Sequence, residues 1–346
     1  MTIHEIYMQR CLQLAEKGLG YVAPNPMVGS VIVHEQNVIG EGYHQQYGQA
    51  HAEVNAVNAV ENKELLQYST LYVNLEPCAH YGKTPPCADL IIKYKIPNVV
   101  IGSVDFNSVV NGRGIEKMIK AGINVTVGVL EEDCKLVNKR FFAYHQKKRP
   151  YIILKWAQTA DGFIDRNRYV KEAGQPLQIS NSGSRRLVHL WRSQEQAIMV
   201  GTNTALLDNP QLTVRECDGK NPVRVVIDKE FKIPLRYNLF DKSTPTLVFT
   251  ALEGTSAHNL EFIKLDFEKA VLPAILKELH DRNIQSLFVE GGAHLINSFI
   301  GSGLWDEARV FVANEKIEEG VPAPVLNAHV NKEENCFGDK LLTFIN

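Results

Sequence analysis

The sequence predicts a two-domain α/β protein, and three observations carry that prediction. Apolar runs of strand length alternate with amphipathic stretches of helix length along the chain. The alternation is interrupted at HQKKRP, residues 145–150, a polar stretch that ends in proline, and it then restarts. The 346 residues are too many for one ordinary core and comfortable for two. The expected domains are residues 1–147 and 148–346.

The elements follow in order. In MTIHEIYMQRCLQLAEKG, Ile3, Tyr7, Cys11, Leu14 and Ala15 recur at helical spacing. The stretch has no basic start followed by an apolar block, so it does not read as a signal peptide. VGSVIVHEQNVIGEGY reads as two strands with a turn near residues 35–37. A helix is expected from about His51 to Val60, then strand TLYVNL, helix CADLIIKYK, strand NVVIGSV, helix GIEKMIKAG, strand NVTVGV and a helical stretch from Glu131 to His145. One antiparallel hairpin followed by βα alternation predicts a layered domain with a mixed sheet. Beyond residue 150, YIILKWA, QAIMVG, PVRVVID, PTLVFT, QSLFVE and EARVFVAN read as strands, and residues near 182–193, 267–281 and 292–301 as helices. The tail after Val325 carries no clear pattern.

Composition narrows the function classes. A net charge of −2 advertises no field for nucleic acid or an anionic membrane surface. No apolar run approaches the roughly 20 residues that span a bilayer. Six cysteines scattered over a long chain suit a reducing compartment rather than a disulfide framework, so a cytoplasmic protein is expected.

The densest chemistry lies in HAEVNAV and LEPCAHYGKTPPC. His51, Cys78 and Cys87 offer one imidazole and two sulfurs, each expected at the start of a helix, where the thiolate is favoured over the thiol. A catalytic zinc needs three protein donors and one open position. Glu53, two residues after His51, can move a proton beside such a centre without ligating it. A His-x-Glu followed by a Pro-Cys pair is the pattern of zinc deaminases, although eight residues separate these cysteines where that pattern has two. The bland alternatives are a core histidine with buried thiols, or a structural zinc site, which would want a fourth ligand and no Glu53. His80, beside Cys78, reads as a loop or substrate contact.

Taken with PNPMVG (24–29) and GEGYHQQYGQAHAEVNAV, these stretches resemble the deaminase domain of the bifunctional riboflavin-biosynthesis deaminase/reductase family. The resemblance implies a cytidine-deaminase-like three-layer α/β/α domain with His51, Cys78 and Cys87 on Zn²⁺ and Glu53 as proton shuttle. It implies hydrolysis of the ring amine of 2,5-diamino-6-ribosylamino-4(3H)-pyrimidinone 5′-phosphate, with Asn25 and His44 touching that substrate. Read alone, Asn25 between prolines is a turn former and His44 an exposed residue. DFNSVVNGRG departs from the family's Asp-Pro-Asn-Pro stretch by two prolines.

LFVEGGAHLINSF reads as strand, Gly-Gly turn and helix; it is compatible with phosphate binding and equally with a plain turn. LKWAQTADG (154–162), SRRLVHLWR (184–192) and VGTNTALLDNPQLTVR (200–215) join it in resembling the reductase domain of the same family. That likeness implies a dihydrofolate-reductase-like α/β domain using NADPH to reduce the ribosyl group to ribityl. It implies Ala157, Thr204, Asp208 and Gly292 at the cofactor, with Asp208 also catalytic, and Arg192, Leu212, Arg215 and Glu290 at the substrate. Alone, Asp208 could form a turn and Arg192 a solvated helix face. Lys155, in an apolar strand, is a lesser candidate. Gln178 stands where the family carries a tryptophan, which removes an indole that would stack on the cofactor.

The expected protein is thus a two-step enzyme acting on a small pyrimidine ribose phosphate, away from nucleic acid and membranes; the family resemblance alone implies that a homodimer would suit it. The alternatives are a zinc deaminase of another base or of nucleic acid, with a second domain that only binds.

Overall fold

The structure is a computed structural model that describes residues 1–79, 81, 85–105, 112–168 and 175–346. It divides into two compact units, Met1–Lys148 and Arg149–Asn346.

The first unit contains α1 (Ile3–Glu16), β1 (Gly29–His34), β2 (Asn37–Tyr43), α2 (Ala52–Ala59), β3 (Thr70–Leu75), α3 (Cys87–Lys93), β4 (Asn98–Ser103), α4 (Arg113–Lys120), β5 (Asn124–Val127), α5 (Glu131–Val137) and α6 (Lys139–Lys147). Thr2 starts α1 through a capping box: its hydroxyl accepts the Glu5 amide, and the Glu5 carboxylate accepts the Thr2 amide. Glu35 and Gln36 both take left-handed φ, the two-residue turn that suits the twist of β1 and β2. The sheet order is β2-β1-β3-β4-β5, with β1 antiparallel to both neighbours and β3, β4 and β5 parallel. Alternation along β1 sorts the layers. Val31 and Val33 pack with Tyr7, Met8 and Cys11 of α1, while Ile32 packs with Ala56 and Val57 of α2. The result is the three-layer α/β/α arrangement with a mixed sheet.

Two glycines of β2 set how closely α2 lies on the sheet. A Cβ at Gly40 would stand 2.5 Å from the Ala56 carbonyl oxygen, and one at Gly42 2.5 Å from the Ala56 nitrogen. Helix backbone therefore rests directly on strand backbone, which fixes the position of the first turn of α2.

The stretch expected to be helical over 131–145 is helical, and it is made of two helices that meet at Asn138. The side chain of Asn138 bonds the backbone of Met27 instead of facing solvent, and that requirement overrides helical continuity. Cys78 lies in a non-helical loop after β3, not at a helix start.

The second unit contains β6 (Tyr151–Gln158), β7 (Phe163–Asp165), α7 (Ser182–Gln194), β8 (Ala197–Val200), α8 (Thr202–Asp208), β9 (Val223–Ile227), β10 (Thr246–Thr250), β11 (Leu260–Lys264), α9 (Val271–Asp281), β12 (Ser286–Glu290), α10 (Ala293–Gly301), β13 (Glu307–Val312), β14 (Val321–Pro322), β15 (Lys332–Cys336) and β16 (Asp339–Ile345). Nine strands form one sheet in the order β11-β10-β9-β8-β12-β6-β13-β16-β15. The first seven run parallel, and the terminal hairpin adds antiparallel to β13. Ile152, Leu154, Leu287 and Val289 meet Leu276, Leu279, Ile296 and Phe299 of α9 and α10 on one face of it. The unpatterned tail is therefore part of the sheet. Its outer strand, KEENC, is almost wholly exposed, so no apolar alternation marks it.

Gly42→Ala is expected to destabilise the first unit by about 1–3 kcal/mol, the usual cost of forcing a methyl group into packed backbone. Urea unfolding followed by circular dichroism checks this; an unchanged first-unit transition would mean that α2 is free to move off β2.

Candidate active sites

The parallel strands β3 and β4 deliver their C-terminal ends to one edge of the first sheet, the place where open α/β sheets bind ligands. His51 is the extended residue before α2, and its side chain makes no capping bond. Its imidazole turns to the sulfurs: Nδ1 lies 3.6 Å from Cys78 Sγ and 3.3 Å from Cys87 Sγ. Cys87 opens α3, and its amide donates to Cys78 Sγ at 3.3 Å. One donor atom from each of the three residues lies within 4.8 Å of the other two. Tetrahedral zinc, at about 2.3 Å from sulfur and about 2.0–2.1 Å from imidazole nitrogen, holds such donors roughly 3.5–3.8 Å apart. The donor set fits zinc in type and in spacing.

The electrostatics follow from crowding like charges. The hydrogen bond from Cys87 pushes the Cys78 thiol down against the cost of burial, with help from His51. The same bond, together with burial, pushes Cys87 up. The bond to Cys78 raises His51. Glu53, in the first turn of α2, is 3% exposed, and burial followed by the charge on Cys78 pushes it up to about 6. A carboxyl poised there can take and return a proton near neutral pH.

Asn25 and His44 meet beside this centre. His44 Nδ1 lies 3.0 Å from the Ala50 carbonyl oxygen, so Nδ1 carries the proton, and Nε2 accepts from Asn25 Nδ2 at 3.0 Å. His44 is 2% exposed, which overturns its reading as a surface residue. Burial lowers its pKa and keeps the ring neutral. The rings of His44 and His51 are 5.5 Å apart, edge to face.

Three residues that the sequence reading missed hold this geometry. Asn74 accepts the Gly29 amide and donates to the Met27 carbonyl, while Asn138 accepts the Met27 amide and donates to the same carbonyl. Together they clamp the segment carrying Asn25. Glu76, buried before Pro77 and Cys78, accepts backbone amides from Asp105, Gly112 and Gly114. Polar residues inside apolar runs were the available signal. His80 and the altered stretch 106–111 lie outside the described residues.

In the second unit β12 ends at Glu290, and Gly291 and Gly292 follow with φ of +80° and +73°. A Cβ on Gly292 would stand 2.7 Å from Thr204 Oγ1, so Thr204 of α8 packs onto the turn. The N-cap of α10 is Gly292, which leaves that helix start without a side-chain cap. Thr204 and Gly292 thus converge, and Ala157 lies in β6, two strands from β8. Glu290 is gripped by Arg192, whose Nε and Nη2 donate to its two oxygens at 2.6 and 2.9 Å, and Lys155 Nζ lies 3.7 Å away. Burial would raise the Glu290 pKa, but Arg192 and Lys155 overcome it and hold the carboxyl at about 2.

Arg192 also donates to the Thr213 carbonyl, so its guanidinium is committed to the protein. Arg215 is exposed, and its guanidinium donates to Thr213 within its own loop; its backbone amide donates to His189 Nδ1. Leu212 is buried with left-handed φ, so its side chain serves packing. Asp208, the last residue of α8, faces Arg168. Gln178 is exposed.

Fold and geometry define a two-unit α/β protein with a zinc-type donor set beside a buried carboxyl on a three-layer mixed sheet, and a buried carboxylate beside a Gly-Gly turn on a largely parallel one. Residues 1–103 match the family model described as the cytidine and deoxycytidylate deaminase zinc-binding region, and residues 150–314 match the RibD C-terminal domain. The chain is 41% identical over 330 residues to the riboflavin biosynthesis protein RibD of Aquifex aeolicus, covering 92% of this chain and 89% of that one. A crystal structure of a diaminohydroxyphosphoribosylaminopyrimidine deaminase/5-amino-6-(5-phosphoribosylamino)uracil reductase from Thermotoga maritima superposes with a TM-score of 0.90 at 36% identity, covering 99% and 98% of the two chains. Acinetobacter baumannii RibD, form 1, gives 0.88 at 30% identity with the same coverage. The chain belongs to the RibD family of bifunctional riboflavin-biosynthesis proteins. Among the described residues, no helix is long and apolar enough to cross a membrane.

Arg192→Met is expected to cost about 3–5 kcal/mol, because it leaves a buried carboxylate with one distant partner. The wild-type stability linked to Glu290 is fully present above the unfolded carboxyl value of about 4.3. It is lost as pH falls towards about 2. In the variant burial is opposed by Lys155 without Arg192, so the Glu290 carboxyl rises, the linked stability shrinks, and the gap to wild type narrows as pH falls; urea unfolding at several pH values reads both effects.

Proposed function

We propose that the chain catalyses two consecutive steps of riboflavin synthesis. The first is hydrolytic removal of the ring amine of 2,5-diamino-6-ribosylamino-4(3H)-pyrimidinone 5′-phosphate. The second is NADPH-dependent reduction of its ribosyl group to ribityl. The observation that carries the reading is the convergence of His51 Nδ1 and the two sulfurs beside buried Glu53.

In the first centre His51, Cys78 and Cys87 would hold zinc, which would supply the Lewis acidity that makes water nucleophilic near neutral pH. Glu53 takes the proton of the attacking water and returns it to the departing amine; burial gives its carboxyl the intermediate pKa this needs. Asn25 and neutral His44 bind the pyrimidine edge, fixed in place by Asn74 and Asn138.

In the second centre NADPH supplies the hydride. Gly292 and the start of α10 hold its phosphates, because free N–H groups at a helix start favour an anion. Thr204 and Ala157 line the cofactor. Asp208, at the end of α8, would contact the nicotinamide and the sugar and help orient the reacting carbon. Glu290, kept ionised by Arg192 and Lys155, accepts from a substrate hydroxyl. Arg215 pairs with the substrate phosphate, since its guanidinium is exposed and Arg192 is engaged. The substrate is a small molecule rather than a polynucleotide, in keeping with a net charge of −2. Six free thiols favour a cytoplasmic site of action.

Incubation with the diaminopyrimidine phosphate should release ammonia, and added NADPH should then be consumed with formation of the ribitylamino product. Zinc-loaded protein that does neither contradicts the assignment. Glu53→Gln should retain zinc by metal analysis and lose about 10²–10⁴-fold in ammonia release, the typical share of a general acid–base group. It should still reduce substrate that is supplied already deaminated. Chelation of the metal should abolish ammonia release alone.

A further inference from the structure

Arg168 has a side chain only 2% exposed, yet it belongs to no element of the sheet. It lies just past β7 and reaches three groups. Nε donates to Asp165 Oδ2 at 2.7 Å, Nη1 donates to the Leu207 carbonyl at 3.1 Å, and Nη2 donates to both Asp165 and Asp208. Asp165 Oδ1 accepts the backbone amides of Arg166 at 2.9 Å and Leu177 at 3.2 Å. One carboxylate thus gathers residues on both sides of the excursion between β7 and α7. One guanidinium ties that base to the last turn of α8. The Leu207 carbonyl is among those a helix end leaves without a helical partner, and a cation is favoured there.

The arrangement has an electrostatic consequence. Asp208 and Asp165 are two carboxylates sharing a single cation in a part-buried place. Burial pushes Asp208 towards its neutral form, Asp165 pushes the same way, and Arg168 opposes both. The rest of α8, Thr202 to Leu207, carries no charge. On the adjacent β9 the only charged residue, Arg224, is turned to Asp241 and Ser243. Among the described residues, the ionisation of Asp208 is therefore set between Arg168 and Asp165.

We propose that Arg168 is a positioning residue of the reductase centre: shared between Asp165 and Asp208, it keeps Asp208 ionised and aimed at the sugar being reduced. This rests on the role given to Asp208 above. A hydrogen-bond acceptor must be charged to act strongly, so reduction should fade as pH falls through the Asp208 pKa. Removing the cation moves that fall to higher pH, and removing the competing carboxylate moves it to lower pH. Neither shift follows from a purely structural role.

The test uses the full chain with deaminated substrate and NADPH, measuring kcat and KM across pH, with ammonia release as a check that the first unit is intact. Arg168→Gln should raise the acidic limb of kcat by about 1–3 pH units, the range by which a nearby cation holds a carboxyl down. That corresponds to a loss of about fivefold or more at the pH where wild type is half active, recovering as pH rises. Arg168→Lys should restore part of the loss. Asp165→Asn, which keeps the cation, should move the limb the other way. An Arg168→Gln profile coincident with wild type, or reduced equally at every pH, overturns the proposal, as does an Asp165→Asn limb that stays or rises. Asp208→Asn separates the two levels of inference. If it abolishes reduction while Arg168→Gln has no pH signature, only the role of Arg168 falls; if it turns over normally, the role of Asp208 falls and the proposal with it.

Discussion

The first unit is organised by an electrostatic conflict: two thiols and a carboxyl are brought within reach of one imidazole. Left to the protein's own groups, the conflict resolves unevenly. Cys78 is stabilised as thiolate, whereas Cys87 and Glu53 are driven towards their neutral forms. A divalent cation removes the conflict, since coordination deprotonates thiols outright and offsets the clustered negative charge. The scaffold must hold the donors together against their repulsion, and each has its own restraint. Gly40 and Gly42 let α2 settle on β2 and bring His51 and Glu53 in. Glu76 fastens the turn before Cys78 to the start of α4, where Gly114 passes so close to Pro77 that a Cβ would stand 2.0 Å from its carbonyl oxygen. Cys87 is tied by its own amide to Cys78.

The second unit handles buried charge differently, with counter-charges from its own side chains. Glu290 sits at the end of β12, where the chain turns into Gly291 and Gly292, and Arg192 of α7 and Lys155 of β6 converge on it. Asp208 ends α8 and meets Arg168. Buried ion pairs of this kind contribute little net stability, because desolvation offsets the attraction. Their effect is positional. Glu290 is locked to α7, and Asp208 to Arg168 just past β7. The carboxylates are in place before a ligand arrives, so binding need not order them.

The legible parts of the sequence were those where one physical rule acts alone. Strand and helix alternation placed most of the elements, because each buries an apolar face with its own period. The ligand triad with Glu53 was legible because metal chemistry demands particular residue types. What escaped were places where two requirements compete. Residues 131–145 read as helical, but the pattern does not reveal that two helices meet at Asn138, whose side chain bonds the backbone of Met27. Asn74 sits in TLYVNL as an apparent flaw in an apolar strand, yet it satisfies backbone groups of a loop far away in sequence. Arg192 and Arg215 look alike on the page, but only the fold commits the first to Glu290. The short α8 and the edge strand β11 have too few residues for periodicity to declare them.

The tail carries this argument furthest. Residues beyond 314 fall outside the span matched by the RibD C-terminal domain model, and KEENC carries no apolar alternation. Yet β16 pairs along the whole of β13, and Asp339 accepts the Asn181 amide at 3.0 Å and the Ser184 hydroxyl at 2.7 Å. Asn181 caps α7, and its side-chain amide also donates to the carbonyls of Cys336 and Phe337. Thus the terminal hairpin grips the first turn of the helix whose last turn presents Arg192 to Glu290. A helix held at both ends cannot slide along the sheet without breaking buried hydrogen bonds, and each buried group left unsatisfied costs about 1–3 kcal/mol. A segment without a readable pattern therefore takes part in fixing where the carboxylate of the second centre is held.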